Sequence, residues 1–423
     1  MAPSNIFHFL QARERGHART RLRETQVTLL RLRERWSLPH AAPHGSDHVK
    51  DVIPLGYDAF CLVAKGGHAA AFAAAPAMPE VAPGTPRWLT SLNVFQGERI
   101  RMAAHLGGSR ALLTVFAVPG AAYRGRLFAR VLDVEGVLVG ETRTRNCGSL
   151  ADVSVPSGGF IEFDDQNQCI WANDGQYLRC WDACSFEERF ALGPWAPGDM
   201  PNVRFTRGLA GLLRPARGGA IEVALHDARD GRLLTLTEVQ LKPPDVDFVL
   251  LEMINECVLM KRQSCEVAVV SLKNSSCSVL RGTAAWEPEA FVFLPSRHLI
   301  LALFSDSLEI WTCSSPEFCC RLGTVRQLAQ IRENRFCIDE HLGAALVVRS
   351  RAAAPPRSSP AGRQDLEEDI ALLDLLRFGG TRAAVRGACE GASGGIGRVL
   401  FSAAQGLLLL LGRSGSLTAY TSS

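Results

Sequence analysis

From about residue 50 onward the apolar positions fall in short runs, separated by turn-forming residues, and long helical periodicity is missing. Such a pattern predicts an all-β chain built as a sandwich, barrel or propeller. The stretch "YLRCWDACS" (177–185) supplies a ruler: apolar positions alternate, then Trp181-Asp182 ends the strand. The same shape ends in Leu132-Asp133, His226-Asp227, Val270-Ser271, Trp311-Thr312, Arg349-Ser350 and Tyr420-Thr421. Successive spacings are roughly 49, 45, 44, 41, 38 and 71 residues, close to the ~40–45 of a propeller blade except for the last.

The residues leading up to each marker repeat as well. "GFIEFDDQNQCIWANDGQYLRCWD" and "AFVFLPSRHLILALFSDSLEIWT" both read strand, turn, strand, turn, strand. A four-stranded sheet cannot bury both faces alone, but sheets packed radially bury them against each other. Inner strands covered on both faces then read as nearly continuous apolar runs, as in "LILALF" (299–304). The bulky marker residue can pack between blades, and the polar residue after it can bond to the adjacent turn. The expectation is a seven-bladed β-propeller of four-stranded blades over 50–423. Trp181, Asp182, Trp311 and Tyr420 are its clearest structural markers. The long last interval is read as an insertion at about 352–397, with a short helix in "DLEEDIALLDLLRF". The segment 51–72 looks strand-like but has no blade of its own. Part of it, near Ala59 to Val63, is expected to pair with the strand ending at Tyr420 and close the ring, because an unpaired outer edge invites aggregation.

Residues 1–38 have a different pattern. Leu29, Leu32 and Trp36 recur at helical spacing, Val27 and Leu30 widen the stripe, and the other side is rich in Arg, including Arg31 and Arg35. This predicts a basic amphipathic helix. It would pack on the main domain, dock a partner through Leu29, Leu32, Trp36, Arg31 and Arg35, or serve as an organelle-targeting segment. Residues 39–49 read as a linker. His40, His44 and His48 would align on a helix, but Pro43 and Gly45 break it, so no metal site is expected there.

Composition narrows the picture. Hydrophobic residues make up 47% and charged residues 21% of 423, enough for a large core. A net charge of +3 does not argue for nucleic acid. The 13 Cys have no metal-ligand spacing, and no secretory signal is seen, so free, mostly buried thiols in a reducing compartment, cytoplasmic or nuclear, are expected. No apolar run is long enough to span a membrane.

One stretch looks chemical. In "CEGASGGIGRVLF" (389–401), Gly391, Gly395 and Gly397 resemble a phosphate-binding loop, and Gly391, Ser393 and Gly395 fit a nucleophile elbow. Both motifs need a helix next, and a dinucleotide fold needs further βαβ units. The residues after Gly397 read as three strands, so a flexible Gly/Ser tract is the better reading. No catalytic set, cofactor or metal site is expected. The pairs Asp164-Asp165 and Glu187-Glu188 read as solvated turn residues.

The strand plan, strongest at "YLRCWDACSFEERFAL", "SLEIWTCSSPEFCCRLG" and "SLTAYTSS", resembles the WD-repeat β-propeller family over roughly 50–423. "GFIEFDDQNQCIWANDG" and "VDFVLLEMINECVLMKRQ" further look like a green-plant group of divergent WD-repeat-like proteins. The chain departs from the family pattern in having one Trp-Asp and almost no Gly-His pairs. The resemblance implies a non-enzymatic scaffold or adaptor that binds other proteins. It admits two alternatives: a substrate receptor of a cullin-type ubiquitin ligase, although Trp181-Asp182 lacks the docking Arg after it, and an RNA-associated protein acting through the Arg-rich N-terminus.

Overall fold

The computed structural model describes most of 32–422; residues 1–31, 43–47, 75–85, 241–247, 281–287, 314–318, 329–335, 353–365 and 386–394 are the longer stretches outside it. The chain is an all-β propeller of four-stranded antiparallel sheets, and the described strands form eight of them. In chain order these blades span 49–91, 99–155, 161–192, 202–240, 248–280, 290–325, 336–385 and 396–422, and are called blades 1 to 8. Blades 1 to 5 belong to one compact unit, and blades 6 to 8, with the segment 32–38, to another. Among the described residues, no helix is long and apolar enough to cross a membrane.

The two-residue period of the strands explains how each unit holds together. In strand Ala111–Ala117 of blade 2, Leu112 and Phe116 join the apolar cluster shared with blade 1. Their neighbours Leu113 and Val115 join the cluster shared with blade 3. Blade 3 repeats the device: Ile170 and Trp181 face blade 2, while Trp171 and Cys180 pack with Leu212 of blade 4. Leu213, Val223 and Leu225 of blade 4 continue onto Val258 and Val270 of blade 5. In the other unit, Leu301 and Ile310 of blade 6 pack with Val347 and Leu373 of blade 7. The inner strands therefore have two dry faces, as in Leu299–Leu303, where every residue is buried.

The marker positions hold a common place. Asp133, Asp182, Asp227 and Ser271 end the third strand of a blade, and Thr312 and Thr421 stand one residue before its end, each opposite the first residue of the second strand. The carboxylate of Asp182 accepts from the amides of Cys184 and Ser185, and that of Asp227 from Arg229. Asp133 accepts from Gly136, and the hydroxyl of Ser271 from Lys273. The polar residue thus caps the turn that sends the chain to the outer strand.

Several expectations change. The seven markers lie in seven different blades, and blade 1 adds the eighth: segment 51–72 belongs to a complete sheet of its own, in which Ala59–Ala64 pairs with Val49–Pro54 and Ala69–Ala73. Blade 1 escaped the ruler because its third strand ends in Phe72-Ala73, without a polar turn cap. Nor is 352–397 an insertion between blades. Leu366–Asp374, expected as a helix, is a nine-residue strand paired with Ala344–Ala352, and Gly380–Val385 is the outer strand of the same blade. The third-strand marker of blade 7 is therefore Asp374, opposite Ala344, and not Arg349-Ser350, which lies in the second strand.

The closure is made by another segment than expected. Leu32–Leu38, placed in the N-terminal helix by its spacing, is a strand antiparallel to Leu417–Ser422. It supplies the outer strand of blade 8, with a register shift between Glu34 and Trp36 and a Ser37–Thr418 hydroxyl contact of 3.0 Å. The Ala42 amide then donates to the Gly415 carbonyl at 2.8 Å. At Gly415, φ is 91° and a Cβ would lie 1.8 Å from the Ala42 carbonyl oxygen, so this turn requires glycine. Leu32, Arg35 and Trp36 thus serve the closing sheet, while Leu29 and Arg31 lie outside the described residues.

Candidate binding surface on blades 1 and 2

The glycine-rich stretch forms no nucleotide cradle in its described part. Gly395 accepts from the Arg413 amide, and Gly397 sits inside the strand Ile396–Ser402. Among the described residues, no group of three or more His, Cys, Asp or Glu could hold a metal ion. Asp164, expected at a solvated turn, is instead buried: it accepts from the Asn167 amide and from the Trp171 indole N–H at 3.3 Å. Five of the described free thiols, Cys61, Cys169, Cys180, Cys257 and Cys313, are buried. Burial pushes the Cys61 thiol far up.

Among the described residues, concave features lie around the connection from Ala117 to Leu127 in blade 2. Three cavities of about 620, 630 and 500 Å³ meet there, and Val118 lines all of them. The middle one is aromatic, walled by Phe95, Phe116, Tyr123 and Phe128. The other two are basic: Arg101 lines both, with Arg124 and Arg126 in one and Arg99 and His68 in the other.

A buried ion pair builds the aromatic wall. The Arg130 guanidinium donates to both carboxylate oxygens of Glu98, at 3.1 and 2.9 Å. Their side chains are 8% and 0% exposed. One Glu98 oxygen also accepts from the amides of Val94 and Phe95, each at 3.1 Å. Asn93 braces the same loop, accepting from the Ala69 amide and donating to the carbonyls of Gly67 and Glu98. Each ionised group is thus satisfied on several sides, which a buried charge requires. The guanidinium carbon lies 4.1 Å from the Phe116 ring centroid and 5.2 Å from that of Phe95. Phe128 stacks on Phe116 at 5.9 Å, and Tyr123 meets Phe128 edge-on at 5.9 Å.

The outcome is apolar surface held in place and presented to solvent. Val94, Phe95 and Tyr123 are 45%, 56% and 48% exposed. Gly97, at φ 77°, lets the loop turn beneath them; a Cβ there would come within 2.7 Å of Pro119. Sequence reasoning missed this surface. The signal available to it was the concentration of Phe95, Phe116, Tyr123 and Phe128 in a chain with only 7% aromatics.

No protein-family model and no curated protein matches the chain. Among solved structures it is similar to the computationally designed Ika8 protein, with a TM-score of 0.50, 10% identity, and coverage of 92% of this chain and 99% of that one. It is also similar to BamB from Moraxella catarrhalis, with a TM-score of 0.41, 11% identity, and coverage of 92% and 97%. At 10% identity the first likeness is one of fold alone.

Proposed function

We propose that the chain is a non-enzymatic scaffold or adaptor that binds other proteins through the aromatic surface of blades 1 and 2. The observation that carries this reading is the presentation to solvent of Phe95 and Tyr123, which wall a cavity of about 630 Å³, with Val94 exposed beside Phe95 in the chain. Holding large apolar side chains out of the core has no use in folding, and contiguous patches of that kind mark interaction sites. The buried Glu98–Arg130 pair fixes the loop beforehand, which lowers the ordering cost of association. The resemblance to WD-repeat propellers points the same way. The RNA alternative draws on the Arg-rich N-terminus, of which Leu32–Leu38 is described, as a closing strand.

The test compares the full chain with Phe95→Ser/Tyr123→Ser in affinity purification. Both residues are about half exposed, so the variant should keep its melting temperature to within about 2 °C while losing the proteins recovered with wild type. Undiminished recovery by a folded variant would sink the proposal.

A further inference from the structure

The aromatic cavity does not stand alone. Val118 and Tyr123 line both it and the basic cavity of about 620 Å³, while Arg101, Ala117, Val118 and Pro119 line both basic cavities. The three are therefore adjacent, with an apolar socket beside cationic hollows. Arg99, Arg101, Arg124 and Arg126 are exposed, and among the described residues no Asp or Glu pairs with any of them. The nearby acids are already engaged: Glu98 with Arg130, Glu135 with Arg110, Glu141 with Arg143 and Asp133 with Arg145. Residues 118–130 hold three Arg and no acid. A chain of net charge +3 thus keeps four uncompensated cations beside its apolar socket.

Resting on the function proposed above, we infer that this surface takes an extended acidic segment of a partner protein, anchored by one bulky apolar side chain in the aromatic cavity. Charge complementarity sets the polarity of the segment, since four cations without an acidic partner among the described residues attract and orient carboxylates. The socket favours an inserted side chain over a base stacked on Phe116. The Phe116 face is covered by the Arg130 guanidinium at 4.1 Å, and Phe128 already stacks on Phe116. Phe116 is therefore poorly available for stacking a nucleobase, and Phe95 and Tyr123, about half exposed, are the aromatic rings left at the rim. Phe95 and Tyr123 wall the cavity that the inserted side chain fills.

The experiment uses the full chain and a short fluorescent peptide of Asp and Glu around a single Phe, with fluorescence anisotropy as the readout. Binding is expected to weaken about tenfold for Arg124→Glu/Arg126→Glu, as it does when two rim charges are reversed, and to fall steeply with added salt. Replacing the peptide's Phe with Ser, or using Phe95→Ser/Tyr123→Ser, should cost at least as much. A labelled oligouridylate is titrated in parallel. Tighter binding of the RNA than of the peptide overturns the inference, as does peptide binding insensitive to the Arg reversals. If Phe95→Ser/Tyr123→Ser loses its partners in purification while the acidic peptide fails to bind wild type, the docking surface stands and its acidic occupant is refuted.

Discussion

Substituting Glu98 tests the physical core of the surface. Glu98→Ala removes the bidentate partner of an Arg130 that is 8% exposed, and leaves the cation uncompensated between two phenyl rings. Breaking a buried pair from one side costs about 3–5 kcal/mol. The amides of Val94 and Phe95 lose their acceptor at the same time. Because these losses overlap, a total of about 4–6 kcal/mol is expected. With an unfolding entropy of about 2 cal/mol/K per residue, that lowers the melting temperature by about 5–10 °C, depending on how much of the chain unfolds together. Calorimetry and urea titration of Glu98→Ala, Glu98→Gln, Arg130→Met and Glu98→Gln/Arg130→Met separate the causes. The double variant should be less destabilised than the sum of its singles by about 2 kcal/mol or more, because neither charge is then stranded. A Glu98→Ala melting temperature within about 1 °C of wild type, or strict additivity in the cycle, would refute the reasoning.

Two further predictions concern stability. In the first, a chain starting at residue 39 lacks the strand Leu32–Leu38, so the edge Leu417–Ser422 lies bare. It should aggregate and lose hydrogen-exchange protection at 417–422, and unchanged protection there would contradict the pairing. The second concerns acid. The Arg189 guanidinium, 2.5 Å from Asp182, and the amides of Ser185 and Cys184 lower the Asp182 carboxyl to about 2. A depressed carboxyl contributes stability that is fully present above its ordinary value of 3.8 and is lost as pH falls towards 2. Allowing for partial exposure, Asp182→Asn should remove about 1 kcal/mol of the stability difference between about pH 5 and pH 2. Parallel urea midpoints for wild type and variant over that range would show that Asp182 contributes none of it.

The architecture was legible because strand ends are chemically constrained. Asp133, Asp182, Asp227 and Ser271 cap turns, and a turn cap is a local signal that survives in a single sequence. Where no such cap exists, as at Phe72-Ala73, the blade went uncounted. Two strands were hidden by composition that favours helix. Leu366–Asp374 is rich in Leu and Glu and opens with acids, as a helix does, yet its partner strand Ala344–Ala352 and the dry surroundings of Ile370 to Leu373 decide the outcome. Leu32, Trp36 and Leu38 fit a two-residue period as well as a helical one, and the waiting edge of blade 8 selects the strand. The binding surface was not legible. Glu98 and Arg130 lie far apart in sequence, and only the packing of blade 1 on blade 2 reveals the pair.

The pairing of Leu32–Leu38 with Leu417–Ser422 has a consequence for biosynthesis. Ser37 and Thr418, in contact in the finished sheet, are separated by 381 positions. At about 5–20 residues per second, the ribosome delivers the second roughly 20–80 s after the first. Throughout that interval the strand Leu32–Leu38 lacks its partner Leu417–Ser422, and Trp36 and Leu38 are open to chaperones or to the wrong edge. Translation speed and chaperone supply, more than equilibrium stability, should therefore set the yield of this protein in a cell.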